Sequence, residues 1–214
     1  WLLRLFEGAG SSGGGCGINV GDPKDAFSIG KRLERSRRPI LKNVTTENRS
    51  TRDYSMNLQR ETAADHSAIR TVVVNAFDQT DEADLVEALR AGGDLAISLV
   101  AMDGDAVRGH ISLSVLKSPD ATLALAPVSV AKSCQGRGIG SMLIREALIQ
   151  ARTIGFKMIF VLGDPDYYCR FGFSVETAVD FPCDYAGPHF MALQLTEQSV
   201  EVARVEYAQA FSNL

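Results

Sequence analysis

The chain has 214 residues, a formal net charge of −4 and 45% hydrophobic residues, enough for one ordinary globular domain plus an appendage. No apolar stretch approaches the roughly 20 residues that span a bilayer, so no membrane partner and a soluble, cytoplasmic protein are expected. Four cysteines (Cys16, Cys134, Cys169 and Cys183) lack C-x-x-C spacing, which argues for reduced thiols over a disulfide or zinc framework.

Residues 1–55 differ from the rest. They carry ten Lys and Arg against six Asp and Glu, which leaves the remainder at −8. Gly8 to Gly17 is rich in Gly and Ser, Lys31 to Arg38 is basic, and no apolar period persists. The chain starts at Trp1, whereas Met56 is followed at once by domain-like sequence. A disordered extension, a targeting segment and upstream-translated sequence are the three readings; a non-structural extension is expected for 1–55 and one domain for 56–214. The acidic bulk of that domain disfavours nucleic acid and suits a cationic substrate, though most acidic surfaces are simply solvated.

From Met56 the order is mixed α/β. Leu58 to Arg60 reads as a first strand. Thr62 and Asp65 offer N-caps for a helix ending at Phe77, with Ile69, Val72, Val73 and Phe77 as its buried set. Thr80 to Ala91 is a second helix, stopped by Gly92-Gly93. Leu95 to Met102 and Val107 to Leu116 are strands joined by Asp103-Gly104-Asp105, and Ser112 and Ser114 alternate with Ile111, Leu113 and Val115 as on a half-buried strand. Leu123 to Val130 is an apolar strand in which Pro127 removes one ladder donor. A helix follows, with Leu143, Ile144, Ala147, Leu148, Ala151 and Ile154 on one face and Gly155 as its stop. Then come a strand at 158–162, a short helix at 166–171, and strands near Phe173–Val175 and Phe190–Leu195.

Between the apolar strand and the long helix stands Gln135-Gly-Arg-Gly-Ile-Gly140. A glycine-rich turn entering a helix presents unpaired N–H groups within the positive end of the helix dipole, which makes a backbone phosphate cradle. A P-loop needs Lys-Ser/Thr after its last glycine, and Ser141-Met142 stands there instead. A Rossmann loop spaces its glycines G-x-G-x-x-G, which 136, 138 and 140 do not.

The pattern Gln-x-x-Gly-x-Gly at Gln135, Gly138 and Gly140 resembles the acetyl-coenzyme A pyrophosphate loop of the GNAT N-acetyltransferase superfamily. Tyr168-Cys-Arg-Phe-Gly172-Phe173 is similar to its Tyr-x-x-x-Gly-Phe segment. The run from Val161 to Phe173, with Leu125-Ala-Pro-Val-Ser-Val130, resembles the YhbS-like branch of bacterial predicted acetyltransferases. The resemblance extends from about Met56 to Phe211. It implies a GNAT fold: a mostly antiparallel twisted sheet with helices on both faces and a splayed central strand pair.

The resemblance also implies acetyl-coenzyme A as cosubstrate and an amine as acceptor, joined by direct attack in a ternary complex. The cofactor would meet backbone at Val128 and Val130 and the loop Gln135, Gly136, Arg137, Gly138, Ile139, Gly140 and Ser141. Such a reaction needs an oxyanion donor, a base for the ammonium and an acid for the leaving thiolate. Tyr168 matches the family's tyrosine and is the expected catalytic acid; the bland alternative is a core aromatic beside Phe171 and Phe173. No base is identifiable. His110, Asp164 and Glu61 are weak candidates, and Asp164 reads first as an N-cap before Pro165. His66, His110 and His189 lack ligand spacing, so no metal is expected. A non-catalytic acyl-coenzyme A sensor or scaffold is the rival reading, RNA recruitment by 31–38 a remoter one, and a homodimer stays open.

Overall fold

The structure, a computed structural model, describes residues 56–213; the extension expected at 1–55 lies outside the described residues. Six strands form one sheet in the order β1 to β6: Asn57–Arg60, Leu95–Asp103, Ala106–Val115, Thr122–Val130, Met158–Leu162 and Phe190–Gln194. All neighbours are antiparallel except β4 and β5, which run parallel because the long helix α3 (Ile139–Ile154) carries the chain between them.

Helices cover both faces of the sheet. On one, α3 lays Leu143, Ile144, Ala147, Leu148 and Ala151 on Leu99, Ile111, Leu113 and Leu123. The approach is close enough to need Gly109 on β3, where a β-carbon would lie 3.0 Å from Leu143 and 3.1 Å from Ile139. Ile154, expected on the buried face, is 50% exposed in the last turn. On the other face, α1 (His66–Phe77) and α2 (Asp81–Gly92) pack Ile69, Val73 and Val86 on Val100, Met102 and Val107.

Two local expectations change. Ser112 and Ser114 are buried, because α1 covers the face that alternation assigned to solvent. The strand expected near Phe173–Val175 is one bridge, Ser174 to Ala192, after which Ser174 caps a short helix (Val175–Ala178) through Thr177 N–H. A serine ahead of a turn prefers capping to extending a strand.

The feature that opens the molecule is a bulge in β4. Ile111 pairs with Val128 and Leu113 with Leu125, so Ala126 and Pro127 together face Ser112. The Ser112 hydroxyl donates to the Ala126 carbonyl at 2.7 Å and pins the bulge. The β4–β5 ladder runs from Thr122/Met158 to Leu125/Val161 and ends there, since a bulged strand bends away from its neighbour. The chain after β6 returns to clasp α2, with Ala208, Ala210 and Phe211 against Leu85, Leu89 and Ala126.

Candidate active site

Where β4 leaves β5, a cleft of about 700 Å³ opens between the strand ends, the start of α3 and the first turn of α2. Its β4 edge follows from pairing parity. Ala131 N–H donates to the Arg108 carbonyl at 2.8 Å, and Gly109 pairs with Val130 and Ile111 with Val128. Bonded and non-bonded pairs alternate in an antiparallel ladder, so Val128 and Val130 turn their backbone groups away from β3 and into the gap. The Val130 carbonyl is taken by the Gln135 side-chain amide at 3.1 Å. Gln135 thereby ties the glycine loop to the strand.

The loop is built by left-handed backbone. Gly136 and Gly138 stand at φ +73° and +82°, and nothing lies within 4 Å of where their β-carbons would be. Gly138 caps α3, whose first bond back to the cap is Met142 N–H to its carbonyl at 3.0 Å. The amides of Ile139, Gly140 and Ser141 therefore have no partner within the helix, and all three residues line the cleft. One member of the expected loop set stands aside: Arg137 is exposed and does not line the cleft.

Across the gap, Asp164 starts helix α4 (Pro165–Tyr168) by accepting from Asp166 N–H at 3.0 Å, with Pro165 at the first helical position. This places two tyrosines in the cleft wall. Tyr168 is buried among Tyr167, Phe171 and Phe173. Burial first, then the electrostatic effect of Tyr167 and Asp164, pushes its phenol well above the usual tyrosine range. Tyr167 reaches α3, where a β-carbon on Gly140 would lie 2.8 Å from its hydroxyl. Arg170 lies 4.0 Å above the Tyr167 ring.

Gly163 makes room for Tyr168: a β-carbon there would collide with Cε2 and stand 2.7 Å from Cδ2. Gly163→Ala should therefore lose about 1–3 kcal/mol by overpacking and displace the ring from the cleft. Thermal melts with coenzyme A titration will check it; an unaltered melting temperature would show that the ring moves at no cost.

Two base candidates are elsewhere. His110 is fully buried beneath the helices, with Nε2 2.9 Å from Ser98 Oγ, and does not line the cleft. Glu61 is held by Arg90 through two bonds of 2.7 and 2.9 Å and by the Ser98 hydroxyl at 2.6 Å. Burial alone would raise the Glu61 carboxyl, but bonds from Arg90, His110 and Ser98 with the Arg90 charge pull it far below its ordinary range. Both serve the packing of β1, α2, β2 and β3.

Burial lowers the His110 pKa below its ordinary 6.5, with Glu61 opposing. The unfolded chain then takes up a proton that the folded one refuses, so stability present above pH 6.5 falls as pH drops below it. Urea midpoints at pH 7, 6 and 5 should decline in the parent and flatten in His110→Gln; equal slopes would assign the decline to other groups.

Several cleft residues carry no motif. Phe77 lines it from the end of α1, and Glu82 and Leu85 from α2. Glu82 is 2% exposed; its Oε1 accepts from Gln79 Nε2 at 2.8 Å, and its Oε2 has no hydrogen-bond partner among the described residues. A signal was present: Glu82 occupies the helical stripe of Leu85, Val86 and Leu89, a carboxylate among apolar positions. Among the described residues no group of three or more His, Cys, Asp or Glu is gathered that could hold a metal, and no helix is long and apolar enough to cross a membrane.

The family model described as acetyltransferase (GNAT) family matches residues 59–173. The uncharacterised N-acetyltransferase YhbS of Escherichia coli K12 is 29% identical over 165 residues, 73% of this chain and 99% of the relative. Among solved structures, a GNAT family acetyltransferase from Brucella melitensis in complex with acetyl-CoA is 34% identical, with a TM-score of 0.64 over 74% of this chain and 99% of that one. YhbS from Escherichia coli in complex with CoA superposes with a TM-score of 0.70 at 27% identity, over 77% of this chain and 96% of that one.

Proposed function

The chain belongs to the GNAT acetyltransferase family, and from that premise we propose that residues 56–214 transfer the acetyl group of acetyl-coenzyme A to an amine, by direct attack in a ternary complex. The observation that carries the proposal is the cleft at the β4–β5 split, floored by α3 amides unpartnered within the helix and edged by outward-facing strand backbone. The relatives from Brucella melitensis and Escherichia coli hold acetyl-CoA and CoA.

The residues present fit such a donor. Loop glycines leave open the space that β-carbons would fill, and the helix start offers amides and dipole to a diphosphate. Bound there, acetyl-coenzyme A would supply an acetyl group activated as a thioester. Gly136 to Ser141 would grip its diphosphate, and Val128 with Val130 would align its arm as a further strand. Gln135 would act on the donor indirectly, by holding the Val130 end of β4 against the loop. Tyr168 Oη would give its proton to the departing sulfur, its raised pKa keeping it protonated until then. A cytoplasmic location goes with this proposal.

Calorimetry with coenzyme A and acetyl-coenzyme A, followed by thiol release across an amine panel, tests it. Binding with transfer is the expected result. Absence of heat and of thermal protection would sink the proposal, and saturable binding with no transfer to any acceptor would favour the sensor.

A further inference from the structure

An aliphatic amine arrives mostly as an ammonium ion at neutral pH, and of the two carboxylates lining the cleft, Glu82 and Asp164, the first holds a buried oxygen with no hydrogen-bond partner among the described residues. Glu82 lines the cleft, is 2% exposed, and leaves Oε2 without a partner among the described residues while Oε1 is occupied by Gln79. A buried carboxylate oxygen with no donor costs free energy unless something supplies one. Among the described residues no Lys or Arg forms an ion pair with it. Arg170, which lines the same cleft, is held over the Tyr167 ring. The surrounding wall is apolar, made by Phe77, Leu85, Ala126 and Pro127. The C-terminal segment packs Ala208, Ala210 and Phe211 on Leu85 and Leu89 of the helix that carries the carboxylate.

We propose that Glu82 is the acceptor-binding carboxylate: Oε2 receives the ammonium of a primary amine whose apolar body lies among Phe77, Leu85 and Pro127, and takes one proton from it. The N–H bond breaks, its electron pair remains on nitrogen as the nucleophilic lone pair, and the proton resides on the carboxyl until it is lost to water after product leaves; the second proton, shed by nitrogen as the C–S bond breaks, replaces the one Tyr168 gives to sulfur. Burial, chiefly, and the neighbouring Asp81 charge raise the Glu82 pKa, against the bonds from Gln79 and its own backbone, which lower it. A carboxylate so placed is a stronger base than an exposed one. Asp81 on its own helix, and Cys134, Asp164, Tyr167, Tyr168 and Arg170 elsewhere in the cleft lining, are the other ionisable groups around it. The inference rests on the acetyltransferase reading for its reaction, and on the cleft alone for its ligand.

The test uses the full chain, with and without coenzyme A. Phenethylamine and its neutral counterpart 2-phenylethanol are titrated calorimetrically into the parent and into Glu82→Gln, which preserves size and the Gln79 contact. The parent should bind the amine at least about tenfold tighter than the alcohol, and Glu82→Gln should bind both alike with coenzyme A affinity within about twofold of the parent. Acetyl transfer by Glu82→Gln should fall about 100-fold or more. Phe77→Ala should weaken both ligands together, a loss of apolar contact without loss of charge preference. A variant that keeps the amine preference and the transfer rate overturns the assignment while acetyl transfer by the parent stands. A parent that binds amine through Glu82 but no coenzyme A overturns the acetyltransferase reading and leaves the amine site in place.

Discussion

Tyr168→Phe should lower kcat for acetyl transfer by about 100-fold, with coenzyme A affinity and melting temperature nearly unchanged. The change removes one hydroxyl and leaves the ring against Phe171 and Phe173, so packing is preserved. On the role proposed for Tyr168, what is lost is the proton for the leaving sulfur. Because the phenol is held well above the ordinary tyrosine range by burial, it stays protonated throughout any practical assay range and keeps a proton to share with the sulfur as the C–S bond breaks. Pre-steady-state release of thiol, with donor binding measured on the same preparation, checks this. An unchanged rate would move the role to Tyr167, whose hydroxyl stands at the first turn of α3, and Tyr167→Phe is the paired control.

Arg90→Ala should cost about 3–5 kcal/mol of stability at pH 7 and lower the melting temperature by on the order of 10 °C. The side chains of Arg90 and Glu61 are 19% and 12% exposed, so removing the guanidinium strands a carboxylate that water reaches poorly. Ser98 carries no charge, and burial opposes the proton on His110 that would pair with the carboxylate. The double variant Glu61→Gln, Arg90→Met should recover much of the loss, because it removes both charges and keeps the volume. The folded Glu61 carboxyl lies below its unfolded value of about 4.5, so its contribution is complete above that value and is lost as pH falls through the folded one. Chemical denaturation of the three proteins at pH 7 measures the charge effect, and repeating it well below pH 4.5 follows its loss. A double variant no more stable than Arg90→Ala would show that the pair acts by shape, not charge.

The glycine loop and the tyrosine segment were legible in the chain because their chemistry is local. Positive φ at Gly136 and Gly138, unpaired amides at a helix start, and the cap at Asp164 each depend on a handful of consecutive residues. Pro127 likewise announced a distortion in β4, though not that Ser112 from the neighbouring strand would pin it.

The side of the cleft that we assign to the acceptor was not legible, for the opposite reason. Phe77, Glu82 and Leu85 reach the cleft only because α1 and α2 pack across the sheet and the C-terminal segment clasps α2. The same packing buries Ser112, Ser114 and His110 and commits Glu61 to Arg90, so residues that looked like a solvent face or a general base are kept away from the cleft. Local sequence is enough for the backbone conformation of the loop and its exposed amides, because those energies arise between near neighbours along the chain. Which carboxylate is paired and which keeps an unpartnered oxygen in the cleft depends on distant elements brought together, and only the tertiary structure decides that.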